Sequence, residues 1–418
     1  MPDHDAADVA DRSMSVGRLT LVFGLLYFFQ GLGDPTDGLL AQPVQAMLKS
    51  WGSGQGEIAS FAALLALPWS FKPLYGLLTD YVPLAGLRRK SYLVATGVAA
   101  LLGFGILALA PPARGAYGWL LILLLPTVGV AFADVVVDAL MIEHGQPRGL
   151  TGRLQSVQWG TIYGAAICTG IAGGYLSRHE LYRTAFLICA LVAVATLVVA
   201  LCVVREPPRP ADLSGPRSCW ASLLKAIRMP AVRWVGLFMV LFEFNPFATS
   251  VQYWHMTKVL EIGEQHYGNT RSISAVASIL ACVGYGYCCR RLPMRWLLHA
   301  SIALGIVGTA SYWGLVGPAS ACIVSLVFGF TYMTAVLVQL DLAAQICPTT
   351  SAGTVFALIM ALSNLSSSLA TLLGGRLYEY CAGIWGPAAS FNLLVALGVT
   401  TTAACWLIVP RLTQDVPA

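Results

Sequence analysis

The chain is a succession of long apolar runs cut by short polar stretches, and within the runs apolar and polar residues do not alternate. A transmembrane β-strand would show about ten alternating residues, whereas these runs often pass the roughly 20 residues that an α-helix needs to cross hydrocarbon. The pattern predicts membrane-spanning helices over residues 19–48, 55–80, 91–111, 117–143, 154–177, 183–204, 231–256, 271–289, 296–316, 319–346, 353–380 and 387–409. Between the sixth and seventh lies REPPRPADLSGPRSCWASLLKAIR, residues 205–228, whose prolines and charges exclude a span and mark a linker. The expected fold is an all-α polytopic membrane protein of twelve helices in two pseudo-symmetric six-helix bundles. Its parts are a tail at 1–18, a first bundle at 19–204, a linker at 205–230, a second bundle at 231–409 and a tail at 410–418.

Composition supports the lipid environment. Of the 418 residues, 57% are hydrophobic and 11% charged, with a mean hydropathy of +0.71, whereas soluble domains are about a quarter charged. The net charge of +5 comes from Lys and Arg clustered in connections, with no basic stripe for nucleic acid. The 11 cysteines are scattered through apolar stretches; Cys288 and Cys289 are the one adjacent couple and no CxxC spacing occurs, so they read as small hydrophobes rather than a disulfide or metal framework. No cofactor is expected, and one chain suffices as the working unit. Residues 1–18 are polar and acidic, unlike the basic lead of a signal peptide, and read as a cytosolic tail.

Orientation follows from the asymmetry of Lys and Arg between short loops. Connections on the side of the N-terminus hold Arg88, Arg89, Lys90, Arg148, Arg153, the basic residues of the linker, Arg290, Arg291 and Arg295, against Lys49, Arg114 and Arg178 on the other side. Both termini are therefore expected in the cytosol, in a cell membrane of the bacterial inner-membrane type. The halves also echo each other. Asp34-Pro35 falls midway along the first helix and Asn245-Pro246 midway along the seventh. Proline there frees backbone carbonyls, which a bilayer tolerates where protein or a water-filled cavity satisfies them. Matching interruptions in two halves point to a central binding site.

LPWSFKPLYGLLTDYVPLAGLRRKSYL, residues 67–93, contains Gly76, Asp80 and then Arg88-Arg89-Lys90. It resembles the loop signature between the second and third helices of the major facilitator superfamily, and its PW-x-x-KPLYG-x-x-x-D-x-x-P-x-x-G-x-RR form is similar to the folate–biopterin transporter family. ADVVVDAL, RLQSVQWG and CPTTSAGTVFALIMALSN extend the likeness over almost the whole chain. Muropeptide and siderophore permeases share a shorter form of the loop, and the first helix, with GDPTDGLLAQPVQ, is more polar than the family pattern. The resemblance implies a secondary active transporter working by alternating access, with Asp80 and the arginine-rich turn as a cytosolic latch. Lys72, two turns inward of Asp80, can snorkel, pair with Asp80, or pair with the fourth helix.

The chemistry centres on Asp134 and Asp138, one helical turn apart, roughly 6 Å between β-carbons. Two such carboxylates in low dielectric cannot both ionise cheaply, so one should hold a proton. They are expected to couple transport to protons. Asp34, Asp37, Glu243 and Asp341 occupy comparable depths on the first, seventh and tenth helices, which with the fourth line the central cavity by resemblance. Glu143, beside the loop, is expected to pair with Arg148 or Arg153 instead. Candidate substrate contacts are Gln30, Gln42, Gln155, Gln158, Trp159, Asn245, Tyr253, Gln339 and Asn364, amides and aromatics suited to a flat pterin. Few basic residues face this acidic region; Arg271 and Arg376, near the outer helix ends, could contribute at entry. GLGD, residues 31–34, matches a motif of intramembrane aspartyl proteases, but no Tyr-Asp pair precedes it. HExxH, GxSxG and phosphate-binding loop motifs do not occur, so an enzyme is not expected.

Overall fold

Prolines set where the first and seventh runs stop being helical. α1 (Val16–Gly33) ends ahead of Asp34-Pro35, the chain turns through residues 34–40, and α2 (Ala41–Ser50) resumes. α9 (Pro230–Glu243) likewise ends ahead of Asn245-Pro246 and restarts as α10 (Ser250–Trp254), with a π-helical turn at His255–Val259. Thr249 enters α10 with φ of 56°, in the left-handed region. Both expected interruptions are present. A third was not anticipated: the run at 55–80 divides into α3 (Gln55–Ala66), a 3-10 turn (Leu67–Phe71) and α4 (Lys72–Tyr81). Pro68 and Pro73 remove two amide donors there and prevent a continuous helix.

The remaining helices are α5 (Lys90–Leu109), α6 (Trp119–Gly145), α7 (Thr151–Arg178), α8 (Tyr182–Cys202), α11 (Glu264–Cys288), α12 (Met294–Ala310), α13 (Pro318–Ile346), α14 (Ala352–Trp385), α15 (Pro387–Ala404) and the short α16 (Val409–Leu412). This computed structural model describes residues 16–412 apart from 88, 114–117, 146–150, 205–223, 225, 226, 289–291 and 347–351. Arg88, Arg148, most of the expected linker and most of both expected tails fall outside the described residues, as do the side chains of Asp80, Glu143, Arg153 and Gln155.

Among the described residues, eight stretches are long and apolar enough to cross a membrane. The runs expected to span but not among them have physical reasons. The seventh is broken, α12 has 17 residues, and α7 and α11 are interrupted by polar and small side chains. α11 begins at Glu264, seven residues earlier than the expected start at 271, because the polar stretch EQHYGNT forms its first turns.

Before the linker, α5 packs on α6 and α8, and α1 on α7 and α8; after it, α12 packs on α13 and α15, and α14 on α9 and α15. The halves meet along two seams, α7 against α11 and α14 against α3. Glycine permits the first seam. A methyl group at Gly268 of α11 would fall 2.7 Å from the Gly174 Cα of α7, so close packing of these helices requires its absence. One cluster of buried residues in the second half, including Phe247, Tyr253, Tyr267 and Phe391, also takes in Ala46 of α2.

Candidate functional site

Lys72 opens α4 directly after the 3-10 turn, and that placement carries its ammonium into the first half. Its Nζ lies 2.6 Å from Asp134 Oδ2, the two side chains being 14% and 5% exposed. Of the three options for Lys72, the structure takes pairing with α6. Gln30 of α1 donates from Nε2 to the other oxygen, Asp134 Oδ1, at 2.6 Å. One turn along α6, Asp138 Oδ1 accepts from the Tyr27 hydroxyl at 2.6 Å and from Gln158 Nε2 of α7 at 3.1 Å. Four helices thus converge on two carboxylates. The two are not equivalent: Asp134 is neutralised by a cation, whereas the described hydrogen bonds to Asp138 come from neutral donors. Removing one partner of a buried ion pair costs about 3–5 kcal/mol, so Lys72 and Asp134 hold each other in place.

The site continues toward the second half through Trp69. Lys72 Nζ sits 4.8 Å from the centre of the indole ring, within cation–π range. The Trp69 carbonyl accepts from Asn364 Nδ2 of α14 at 3.2 Å, and its indole Nε1 is buried without a hydrogen-bond partner. Trp159 stacks on Tyr163 with centroids 6.1 Å apart.

No described hydrogen bond joins the other carboxylates to this cluster, although Asp34 lies close enough to act on Lys72 through its charge. Asp34 accepts from Thr36 N at 2.8 Å and Thr36 Oγ1 at 2.7 Å, the local pattern that stabilises a turn. Glu243 accepts from the Tyr332 hydroxyl at 2.9 Å, and Asp341 from the Tyr285 hydroxyl at 3.0 Å. Gln339 of α13 is 1% exposed, and both of its amide atoms lack a partner. Asn245 donates to the Phe242 carbonyl at 3.1 Å, closing the end of α9.

A separate polar cluster joins the halves beyond the breaks. Lys49 of α2 forms an ion pair with Glu264 at the start of α11, and Gln42 Nε2 donates to the Glu264 backbone carbonyl at 2.7 Å. The Tyr253 hydroxyl donates to Glu264 Oε1 at 2.9 Å. Nearby, Arg271 pairs with Asp37. Gln42, Tyr253 and Asp37, expected at the central site, are placed by the structure in this cluster instead. Lys49 and Glu264 were not singled out by the sequence reading; the polar run at the start of α11 was the available signal. On the α14 seam, the Glu379 carboxylate lies against Gly54 and Gly56, at the start of α3, where a helix N-terminus favours negative charge.

At the other end, the loop between α4 and α5 turns at Ala85 and Gly86, with φ of 53° and 76°. Arg89 Nη1 donates to Thr79 Oγ1 at 2.7 Å, and Lys90 Nζ donates to the Leu201 carbonyl at 2.8 Å. Gly76 faces Val135 of α6. Among the described contacts, the basic turn is thus bound to its own half.

The class of protein follows from the shape. The fold superposes on the nucleoside transporter NupG with a TM-score of 0.72 at 14% identity, covering 93% of this chain and 98% of that one. It superposes on the D-xylose-proton symporter with a TM-score of 0.72 at 15% identity, covering 96% and 99%. The fold is of the kind those transporters of the major facilitator superfamily share. Within it, the chain belongs to the BT1 family, matched over residues 30–418, a family of transporters and not of enzymes. It is 29% identical to the folate-biopterin transporter of Synechocystis sp. over 411 residues, covering 93% of this chain and 79% of that protein. It is 24% identical to the probable folate-biopterin transporter 4 of Arabidopsis thaliana, covering 84% and 87%.

Proposed function

We propose that this transporter moves a pterin- or folate-like solute across a cell membrane by alternating access, driven by a proton gradient. The observation that carries the proton coupling is the convergence of Lys72, Gln30, Tyr27 and Gln158 on Asp134 and Asp138. Asp138 is bound by neutral donors and sits one turn from an ion pair, so it can gain or lose a proton without stripping a cation of its only counter-charge. The names of the relatives support the solute class. Trp69, Gln339 and Asn364 offer an aromatic face and amides for a flat ring. A permease for peptidoglycan fragments or siderophores is the second reading, motivated by the shorter loop signature those families share.

Twelve spans in two bundles, with both ends in the cytosol, fit this function. The seventh run spans as two segments around its break, and α7, α11 and α12 complete the set because each is packed against neighbouring helices. In that orientation the Lys49–Glu264 and Asp37–Arg271 pairs close the outer end, and the loop with Asp80 and Arg89 lies at the inner end.

The test uses proteoliposomes. Asp138→Asn keeps shape and most hydrogen bonding but removes the titrating group. It is expected to abolish uptake driven by a pH gradient while preserving counterflow, which needs only reorientation of the loaded carrier. Gradient-driven accumulation at the parent rate in Asp138→Asn, and again with Asp134→Asn added, overturns the coupling assignment.

A further inference from the structure

The cluster that holds Lys72 poses a problem of charge for any solute that reaches it. Lys72 and Asp134 are both nearly enclosed, with Nζ and Oδ2 2.6 Å apart, and each is the other's counter-ion. Among the described residues, the other charged or titratable groups facing them are Asp138 on the same helix and Tyr27 and Asp34 from the α1 side, and none of these is a cation. Gln30 and Gln158 add neutral donors. If an anionic group of a solute took Lys72 alone, Asp134 would be left charged among Asp138 and Asp34. If a proton neutralised Asp134 alone, Lys72 would lose the one carboxylate in described contact with it and keep only Asp138 and Asp34, farther off. Each half-step leaves one buried charge without its contacting counter-ion, which is unfavourable. The two steps taken together restore neutrality: the proton satisfies Asp134 and the anion satisfies Lys72.

We infer that Lys72 is the ligand for an anionic group on the transported solute, and that it becomes available only when Asp134 receives a proton, so that one proton and one negative charge enter the site together. This rests on the proton-coupled reading above and adds the requirement for an anion. Trp69 suits the same event. Its ring already lies 4.8 Å from Lys72 Nζ, and its buried indole N–H has no partner, so a carboxylate arriving at Lys72 would find a second donor on the adjacent residue of the 3-10 turn. Asp138, one turn away, is placed to relay the proton: it passes one to Asp134 and takes up another from solution, so it ends in the state in which it began and the site gains one proton. No bond other than O–H is made or broken. A neutral pterin cannot replace Asp134 as the counter-ion of Lys72, whereas a solute with a carboxylate can.

The test compares acids with their neutral esters on the purified full-length protein in detergent, by thermal shift and titration of intrinsic tryptophan fluorescence. The probes are pteroic acid and its methyl ester, and anhydro-N-acetylmuramic acid and its methyl ester. One acid is expected to bind at least tenfold more tightly than its ester at pH 6, and at least fivefold more weakly at pH 8. Lys72→Gln should reduce the preference for the acid to below threefold and Lys72→Arg should restore it. Asp134→Asn should retain the preference and lose the pH dependence. If acid and ester bind equally in the parent protein, or if Lys72→Gln weakens both to the same degree, the inference fails; so does absence of binding by both acids. Binding by the muramic acid and not by pteroic acid would overturn the solute class proposed above while supporting the role of Lys72.

Discussion

Arg271 of α11 pairs with Asp37, which lies in the break between α1 and α2, so a residue of the second half holds the irregular segment of the first. Its neighbour pair, Lys49 with Glu264, makes the same crossing but in a different environment. The Asp37 side chain is 76% exposed, whereas Lys49 and Glu264 are 15% and 16% exposed. Exposed pairs contribute about 0–1 kcal/mol, and breaking an enclosed one costs about 3–5 kcal/mol. The enclosed pair should therefore do more than the exposed one to hold the two halves together at this end.

That difference gives the first prediction. Gln45 lies on the same face of α2 as Gln42 and Lys49 and is 6% exposed, so a cysteine there, in a cysteine-free background, reports opening. Glu264→Gln should raise its labelling from outside by a membrane-impermeant maleimide by at least about a hundredfold, and Asp37→Asn by no more than about fivefold, following the two energies above. Exchanging the charges, Lys49→Glu with Glu264→Lys, should bring labelling back toward the parent rate. Equal labelling in all variants would remove these pairs from the closing mechanism.

Topology can be checked with single cysteines at Gly215, in the linker, and at Val316, which is 76% exposed between α12 and α13. The residue at 316 should react from outside intact cells and the residue at 215 only after permeabilisation. Position 264 lies between the expected seventh and eighth helices on sequence grounds but is unsuitable, because Glu264 is engaged with Lys49.

The seam between α7 and α11 supplies a third expectation. Gly268→Ala places a methyl 2.7 Å from the Gly174 Cα, closer than a Cβ can sit beside another backbone. The helices must part, and overpacking of this kind costs about 1–3 kcal/mol. A fall in melting temperature by several degrees, with slowed transport, is the expected outcome; wild-type stability and rate would show that the seam already separates freely.

The loop between α4 and α5 is tested by Asp80→Asn. It should leave insertion intact, lower the cycling rate and favour the conformation open to the cytosol, read as faster labelling of a cavity cysteine from inverted vesicles. Unchanged kinetics and accessibility from both sides would reduce the loop to a topology signal.

Much of this was legible from the chain. The lengths of apolar runs gave the helices, and Asp34-Pro35 and Asn245-Pro246 located both breaks, because proline acts locally on its own backbone. The family was readable in the loop from Pro68 to Arg89. Partner choice was not readable, since it depends on which helix faces which. Nothing in KPLYG says that Lys72 meets Asp134 across to α6, or that Tyr253 spends its hydroxyl on Glu264. The sequence also presented the six intramembrane acids as one set, whereas three of them, Glu243, Asp341 and Asp34, are satisfied by Tyr332, Tyr285 and Thr36 at separate places.

The break at residues 34–40 ties two distant events to one short piece of chain. Gln30 at the end of α1 holds Asp134, while Gln42 and Lys49 on α2 hold Glu264. Any tilt of α2 that draws Lys49 away from Glu264 must be absorbed by those seven residues or delivered to Gln30. Gly38 leaves little slack, for a methyl group there would meet the carbonyl oxygens of Gly31, Leu32 and Asp34 at 2.6–2.8 Å. The segment is therefore a short, closely packed elbow between the Asp134 site and the Lys49–Glu264 pair.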